Sequence, residues 1–294
     1  MNTNSINEPI RCVIFGATGK IGRELLNNFS EAEIPVKAVT RDISKARHQP
    51  FVTWVQADLA YKNSVENVLT GARSVYLATS FANNLVELES NLIEAGSIKG
   101  VQHIVKISTK SASPKSEFII PRLHYEAEQQ LKGSGLHWTI IQPSGFMQNW
   151  LGDLSQTVQR ERKIYAATGD GALSFIDTRD IADVAFTVLV EGEKHYEKIY
   201  QLTGGNAVNY FDVADAISKA INEPVQFIPV PEDEIRKRMQ QKGVPEQFIH
   251  IMLKMAESQR LGQARGVTHT VQQVTGRAPR TAEGFVRDHA AWFR

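Results

Sequence analysis

The chain has 294 residues, 42% of them hydrophobic, with 33 basic against 32 acidic residues and a formal net charge of +1. That is length enough for a large core in one elaborated domain or two, and too even a balance to favour nucleic acid or an anionic membrane. The single cysteine, Cys12, rules out intramolecular disulfides, which suits the cytoplasm; the opening MNTNSINEP lacks the apolar core of a signal peptide, and no run approaches the ~20 apolar residues that span a bilayer.

In chain order, the first informative stretch is Ile10 to Glu24, IRCVIFGATGKIGRE. Val13, Ile14 and Phe15 form an apolar run suited to a strand buried on both faces, while Ile21, Leu25 and Phe29 recur as one helical face. Gly16, Gly19 and Gly22 lie between them. In a strand-turn-helix unit this spacing allows a sharp turn, a close approach of backbone to a pyrophosphate, and tight packing of helix on strand. The helix start then aims N–H groups and the positive end of its dipole at the phosphates. The reading is a dinucleotide cradle; the alternative is a purely structural glycine turn.

Pro35 to Thr40 reads as a second strand and Phe51 to Gln56 as a third, followed by a helix from about Lys62 to Leu69. Ser74 to Thr79 is the fourth strand, and Leu85, Leu88 and Leu92 mark the next helix. His103 to Ile107 is the fifth strand, Arg122 to Lys132 a helix, and Trp138 to Ile141 a sixth strand stopped by Pro143. Strict alternation implies an α/β fold with a doubly wound parallel Rossmann sheet and right-handed crossovers. Beyond Pro143 the spacing predicts helices on Ile181 to Leu189 and Val213 to Ile221, strands at Lys198 to Leu202 and Pro224 to Val230, and a last helix from about Ala282 to Trp292. This divides the chain into a dinucleotide domain over 1–150 and a smaller, mainly substrate-binding region over 151–294, interleaved through a helix and strand at about 179–203 that return to the sheet.

The residue ending the second strand selects between dinucleotides, because a carboxylate there accepts the ribose hydroxyl and repels a 2′-phosphate. Here the junction is Val39, Thr40, Arg41, Asp42. Arg41 offers a planar, permanently charged donor fork, with Thr40 and Lys45 beside it, and favours NADP(H) over NAD(H). Asp58, after the third strand, either caps the next turn or accepts from the adenine amino group. Thr79, Ser80 and Phe81, after the fourth, are placed to pass the nicotinamide ribose.

With these pieces, and with VTRD after the second strand, ISTKSA after the fifth, HYEAEQQLKGSGLHWTIIQPSGFMQN over 124–149 and VTGRAPRTAEGFVRDHAAWF near the end, the chain resembles the short-chain dehydrogenase/reductase superfamily. Within it the likeness is to the atypical NmrA-like group. That group includes NADPH-dependent quinone and triphenylmethane-dye reductases, tailoring reductases of natural-product pathways, and regulators that bind the dinucleotide without reducing anything. The resemblance implies further cofactor contacts at Thr18, Lys20, Ile21, Leu59, His124 and Pro143. Ordinary members pair a tyrosine with a lysine four residues on; here those positions hold Ile120 and His124. Tyr125 is one step off, about 100° round the helix, and cannot inherit the role. Ser108 matches the family's supporting serine, and Gln142 stands where arginine is common.

His124 and Ser108 are therefore the candidate catalytic residues. His124 can hydrogen-bond the ribose or donate a proton near neutral pH; Glu128, four residues on, either orients that imidazole or is an ordinary solvated acid. Ser144, Phe146, Met147, Asn149, Trp150, Tyr165 and Phe175, with Phe81, either line the substrate pocket or, for the aromatic and methionine members, pack as plain core. The histidines lack ligand spacing, so no metal site is expected.

These features predict an NADPH-dependent oxidoreductase that passes hydride to a quinone-like, iminium or other conjugated small molecule without the usual Tyr-x-x-x-Lys pair. The expected context is a cytoplasmic monomer or homodimer with no nucleic-acid or membrane partner. A non-catalytic NADP(H)-sensing regulator with a protein partner, and a non-redox isomerase or cyclase, are the alternatives.

Overall fold

The computed structural model describes residues 11–80 and 82–294. MNTNSINEP, Ile10 and Phe81 lie outside the described residues. The chain divides into two units: the described residues up to Pro143 with Thr178–Leu202 and Gln273–Gly276, and Ser144–Asp177 with Thr203–Gln272 and Arg277–Arg294.

The first unit is built from β1 (Cys12–Phe15), α1 (Lys20–Glu31), β2 (Val36–Thr40), β3 (Val52–Gln56), α2 (Lys62–Leu69), β4 (Ser74–Leu77), α3 (Leu85–Lys99), β5 (His103–Ile107), α4 (Ile119–Lys132) and β6 (His137–Pro143). After α5 (Asp153–Glu161) and β7 (Lys163–Ala166) of the second unit, the chain returns with α6 (Thr178–Glu191) and β8 (Lys198–Leu202). Seven strands pair in parallel in the order β3-β2-β1-β4-β5-β6-β8. The order reverses between β1 and β4, and it is outside the carboxyl ends at such a switch point that open α/β sheets bind ligands.

Both faces of the sheet are covered, which is why its inner strands read as apolar runs. Val13, Phe15, Val75, Leu77 and Ile104 share a core with Val65 and Leu69 of α2, Leu92 of α3 and Leu131 of α4. On α1, Ile21, Leu25 and Phe29 are buried as their spacing predicts; Phe29 meets Phe186 of α6 edge to face, ring centroids 5.1 Å apart. Cys12 is buried with its thiol pushed up to about 12 by desolvation, so it packs as an apolar residue.

Several boundaries differ from the sequence reading; the last α-helix ends at Asp288, short of Trp292, and three others lie in the first unit. β4 ends at Leu77, leaving Thr79 in a loop. α4 begins at Ile119, ahead of Pro121, because a proline in the first turn forfeits no intrahelical bond. Pro143 is the last residue of β6, opposite Leu202, and does not stand outside it.

The second unit holds a two-stranded parallel sheet of β7 with β9 (Gln226–Pro229), the trimmed form of the strand expected at Pro224 to Val230. Around it are α7 (Tyr210–Ile221), α8 (Glu232–Gln241), α9 (Glu246–Arg260), α10 (Thr270–Thr275), whose last residues belong to the first unit, and α11 (Ala282–Asp288). A second core gathers Met147, Trp150, Ile164, Phe175, Val213, Ile217, Phe227 and Phe285. Among the described residues no helix is long and apolar enough to cross a membrane.

Candidate functional site

The turn between β1 and α1 is shaped by what glycine lacks. Gly16 has φ +85°, and a Cβ on it would lie 2.3 Å from the Ala78 carbonyl oxygen. A Cβ on Gly22 would lie 2.2 Å from the Gly16 carbonyl oxygen, so the helix can approach its own turn only with glycine there. Gly19 differs: its nearest neighbour would be the Gly16 oxygen at 3.1 Å, and it is exposed at the N-cap of α1. A glycine cap has no side-chain acceptor and the first turn carries no acidic residue, so the amides opening α1 at Ile21 and Gly22 suit an anion. Thr18 is half-buried, and Lys20 is exposed with its amine shifted down by desolvation. The cradle fits a dinucleotide pyrophosphate.

After β2, the Thr40 hydroxyl donates to the Asp42 carbonyl (2.9 Å) and is thereby committed to the turn, not to a ligand. The Asp42 carboxylate accepts from the Ser44 amide (3.0 Å) and hydroxyl (2.7 Å), which hold it below the usual carboxylate range. Lys45 lies 3.9 Å from Asp42. Arg41 is exposed, and among the described residues its guanidinium has no ion pair or hydrogen-bond partner. The Asp58 carboxylate accepts from the Ala60 amide at 3.0 Å, the bond that caps the next turn. The Leu59 carbonyl accepts from Asn91 (2.9 Å), and the Pro143 carbonyl from the Lys110 amide (3.1 Å).

Behind the carboxyl ends of β4 and β5 lies a buried polar relay. Thr79 donates to Glu89 Oε1 at 2.7 Å. Glu89 Oε2 pairs with Lys106 Nζ at 2.5 Å, both side chains fully buried. Lys106 Nζ also lies 3.3 Å from the Ile107 carbonyl oxygen and 3.4 Å from His124 Nδ1. A second cluster adjoins it: Glu128 accepts from Ser108 (2.5 Å) and Gln142 (2.9 Å), has Lys132 at 3.8 Å, and Gln142 in turn accepts from Gln201 (3.3 Å). Ser80 is exposed.

Two expectations are corrected here. Burial first, and then the Lys106 charge, push the His124 imidazole down to about 3, so it is neutral near pH 7 and is no acid by ionisation. Glu128 neither orients that imidazole nor is solvated; it is buried and faces Ser108 and Gln142. Glu89 and Lys106 escaped the sequence reading. Glu89 sits four residues after Leu85 and three before Leu92, on the face of α3 that packs inward, and Lys106 occupies a strand buried on both faces. Charges in such positions demand a partner, which is the signal that would have paired them.

Apart from Phe81, which lies outside the described residues, the residues expected to line the pocket belong to the second unit and divide there. Met147, Trp150 and Phe175 are core, none more than 6% exposed, with Trp150 packed edge to face on Phe175 (5.0 Å) and Phe285 (5.6 Å); they take the packing role of the two read for them. Tyr165 donates to Glu161 (2.8 Å) under the Arg238 guanidinium 4.0 Å from its ring. The Ser144 hydroxyl donates to the Ser174 carbonyl. Phe146 stays half-buried and Asn149 exposed.

A sequence model described as the NmrA-like family matches residues 10–286. An NAD(P)H azoreductase from Xenophilus azovorans is 34% identical over 283 residues, 96% of this chain and 98% of its own. Among solved structures, an NADPH-dependent quinone oxidoreductase from Escherichia coli in complex with NADPH superposes with a TM-score of 0.83 at 22% identity, covering 95% of this chain and 99% of the other. A negative transcriptional regulator in complex with NADP superposes at 0.76 with 16% identity, covering 96% and 95%. At these identities the structural likenesses are ones of fold.

Proposed function

The chain belongs to the NmrA-like family, and on that premise we propose that it is an NADPH-dependent reductase acting on a conjugated small molecule such as a quinone, an iminium or an azo compound. The reductase class is supported by the near-full-length relative named for azo reduction. The acceptor class is carried by one observation: His124, the imidazole beside the relay among the described residues, is held neutral, and the position four residues before it is Ile120. An ordinary ketone benefits from an ionisable proton donor; a conjugated or cationic acceptor takes hydride without one.

The amides opening α1 would hold the pyrophosphate, Arg41 the 2′-phosphate, and the Thr79–Ser80 loop the nicotinamide ribose. Bound NADPH supplies the hydride. The protein's own residues orient the acceptor and supply hydrogen bonds, with the Ser108 proton already committed to Glu128 so that its oxygen only accepts. Purified protein with NADPH and a panel of quinones, azo dyes and imines is expected to consume the reduced-nicotinamide absorbance. Tight NADPH binding without turnover across that panel would overturn the enzyme reading and favour the regulatory one, which the replaced tyrosine and lysine also support.

A further inference from the structure

Lys106 reaches the site from inside the sheet. In β5 it stands opposite Leu77 of β4 and Ile140 of β6, and its ammonium is fully enclosed. An ammonium has three N–H groups and no lone pair. Three acceptors surround this one: Glu89 Oε2 at 2.5 Å, the Ile107 carbonyl oxygen at 3.3 Å and His124 Nδ1 at 3.4 Å. Since the ammonium can only donate, the nitrogen facing it must carry a lone pair, and the ring proton is left on the other nitrogen. The neighbouring acid of α4, Glu128, is engaged by Ser108, Gln142 and Lys132, and offers His124 no competing partner.

We propose that Lys106 is a positioning residue that fixes His124 as the neutral Nε2–H tautomer, so that His124 presents a permanent, uncharged hydrogen-bond donor to the acceptor. Glu89 pairs with Lys106 and is itself steadied by the Thr79 hydroxyl. The relay thus runs from the loop after β4, through the sheet, to the imidazole on α4. A neutral imidazole polarises an acceptor without giving up its proton. His124 keeps its N–H throughout, the reduced nicotinamide would supply a single hydride that carries both electrons, and the proton that completes the product comes from water. This inference rests on the reductase reading for its purpose, though not for its geometry.

The test reads the tautomer directly, on the full chain with no cofactor or acceptor present. Nitrogen NMR of protein carrying 15N-histidine, with His124 assigned by its loss in His124→Phe, is expected to show Nε2 protonated and Nδ1 bare across pH 5 to 8. A proton on Nδ1 in that range would overturn the proposal, because Lys106 would then be the acceptor. The double variant Lys106→Met/Glu89→Gln removes both charges together and keeps an amide oxygen for Thr79, so no buried charge is left alone. In it His124 is expected to give a mixture of tautomers and to begin titrating above pH 5. Unchanged tautomer signals in that variant would equally overturn the proposal. With a quinone acceptor the variant is expected to lose about tenfold in kcat, with KM for NADPH within about twofold; a loss confined to KM would count against positioning. Absence of turnover by the unmodified protein would sink the reductase reading while leaving the NMR result to stand or fall alone.

Discussion

Two regions of the first unit answer the same need, a polar site at the carboxyl edge of a buried sheet, in opposite ways. The β1–α1 turn uses backbone alone: Gly16, Gly19 and Gly22 clear the space, and the amides that open α1 suit an anion. The region behind β4 and β5 uses side chains alone, with Thr79, Glu89, Lys106 and His124 each answering the next. The first is a local device within seven residues; the second joins positions from 79 to 124 that only the sheet brings together. A backbone site tolerates no added atom, whereas a side-chain relay tolerates replacement provided its charges leave in pairs.

The largest expected effect tests the intolerance of the cradle. Gly22→Ala forces a Cβ onto the Gly16 carbonyl and is expected to cost more than about 4 kcal/mol of stability, or to abolish soluble protein, while Gly19→Ala stays within about 1 kcal/mol of the unmodified protein in denaturant unfolding and instead weakens NADPH binding. Equal destabilisation by both would erase the distinction between a packing glycine and a ligand-facing one. Next, Lys106→Met alone strands a buried carboxylate and is expected to cost about 3 to 5 kcal/mol, most of it recovered when Glu89→Gln is added; full loss in both would mean that the relay is as rigid as the cradle.

Arg41→Ala is expected to weaken NADPH about tenfold to a hundredfold, the worth of one charged hydrogen-bonding partner, with NADH changed less than about twofold in titration calorimetry. An equal loss for both dinucleotides would remove the 2′-phosphate assignment. The smallest effect is on stability against acid and concerns His103, 2% exposed. Thr139 gives its proton to the His195 carbonyl (2.6 Å), so His103 Nε2, 2.8 Å from that hydroxyl, is the donor and Nδ1 stays bare. Burial pushes the imidazole from 6.5 down to about 4. The folded protein therefore binds fewer protons than the unfolded one in this window, and stability present above pH 6.5 is lost as pH falls toward 4. His103→Gln is expected to flatten that slope in thermal unfolding; an unchanged slope would place the acid sensitivity elsewhere.

The same contrast explains what the sequence revealed. The cradle, the strand after it and the helical face of Ile21, Leu25 and Phe29 were legible because spacing along the chain is spacing in space. Arg41 was legible as a candidate because it directly follows β2 in the chain. The relay was not: Glu89 and Lys106 look like solvated charges until α3 and β5 are known to be buried around them. His124 was found by its alignment with a family position, but its ionisation depends first on its burial and then on Lys106, 18 residues away. In the second unit, Trp150 and Phe175 matched pocket and core equally in sequence, and only burial separated them.

The turn that follows β2 has a consequence for redesign. Thr40 bonds to Asp42 and Asp42 to Ser44 within it, the Trp54 indole ties to the Arg47 carbonyl at 2.8 Å, and Gln56 ties to the Arg41 carbonyl at 3.0 Å. Because that tie and the Asp42 cap leave the Arg41 side chain unencumbered, the segment is an exchangeable cassette. Arg41 can therefore be exchanged while Asp42 and Ser44 stay in place, with neither the glycine turn nor the interior wiring rebuilt.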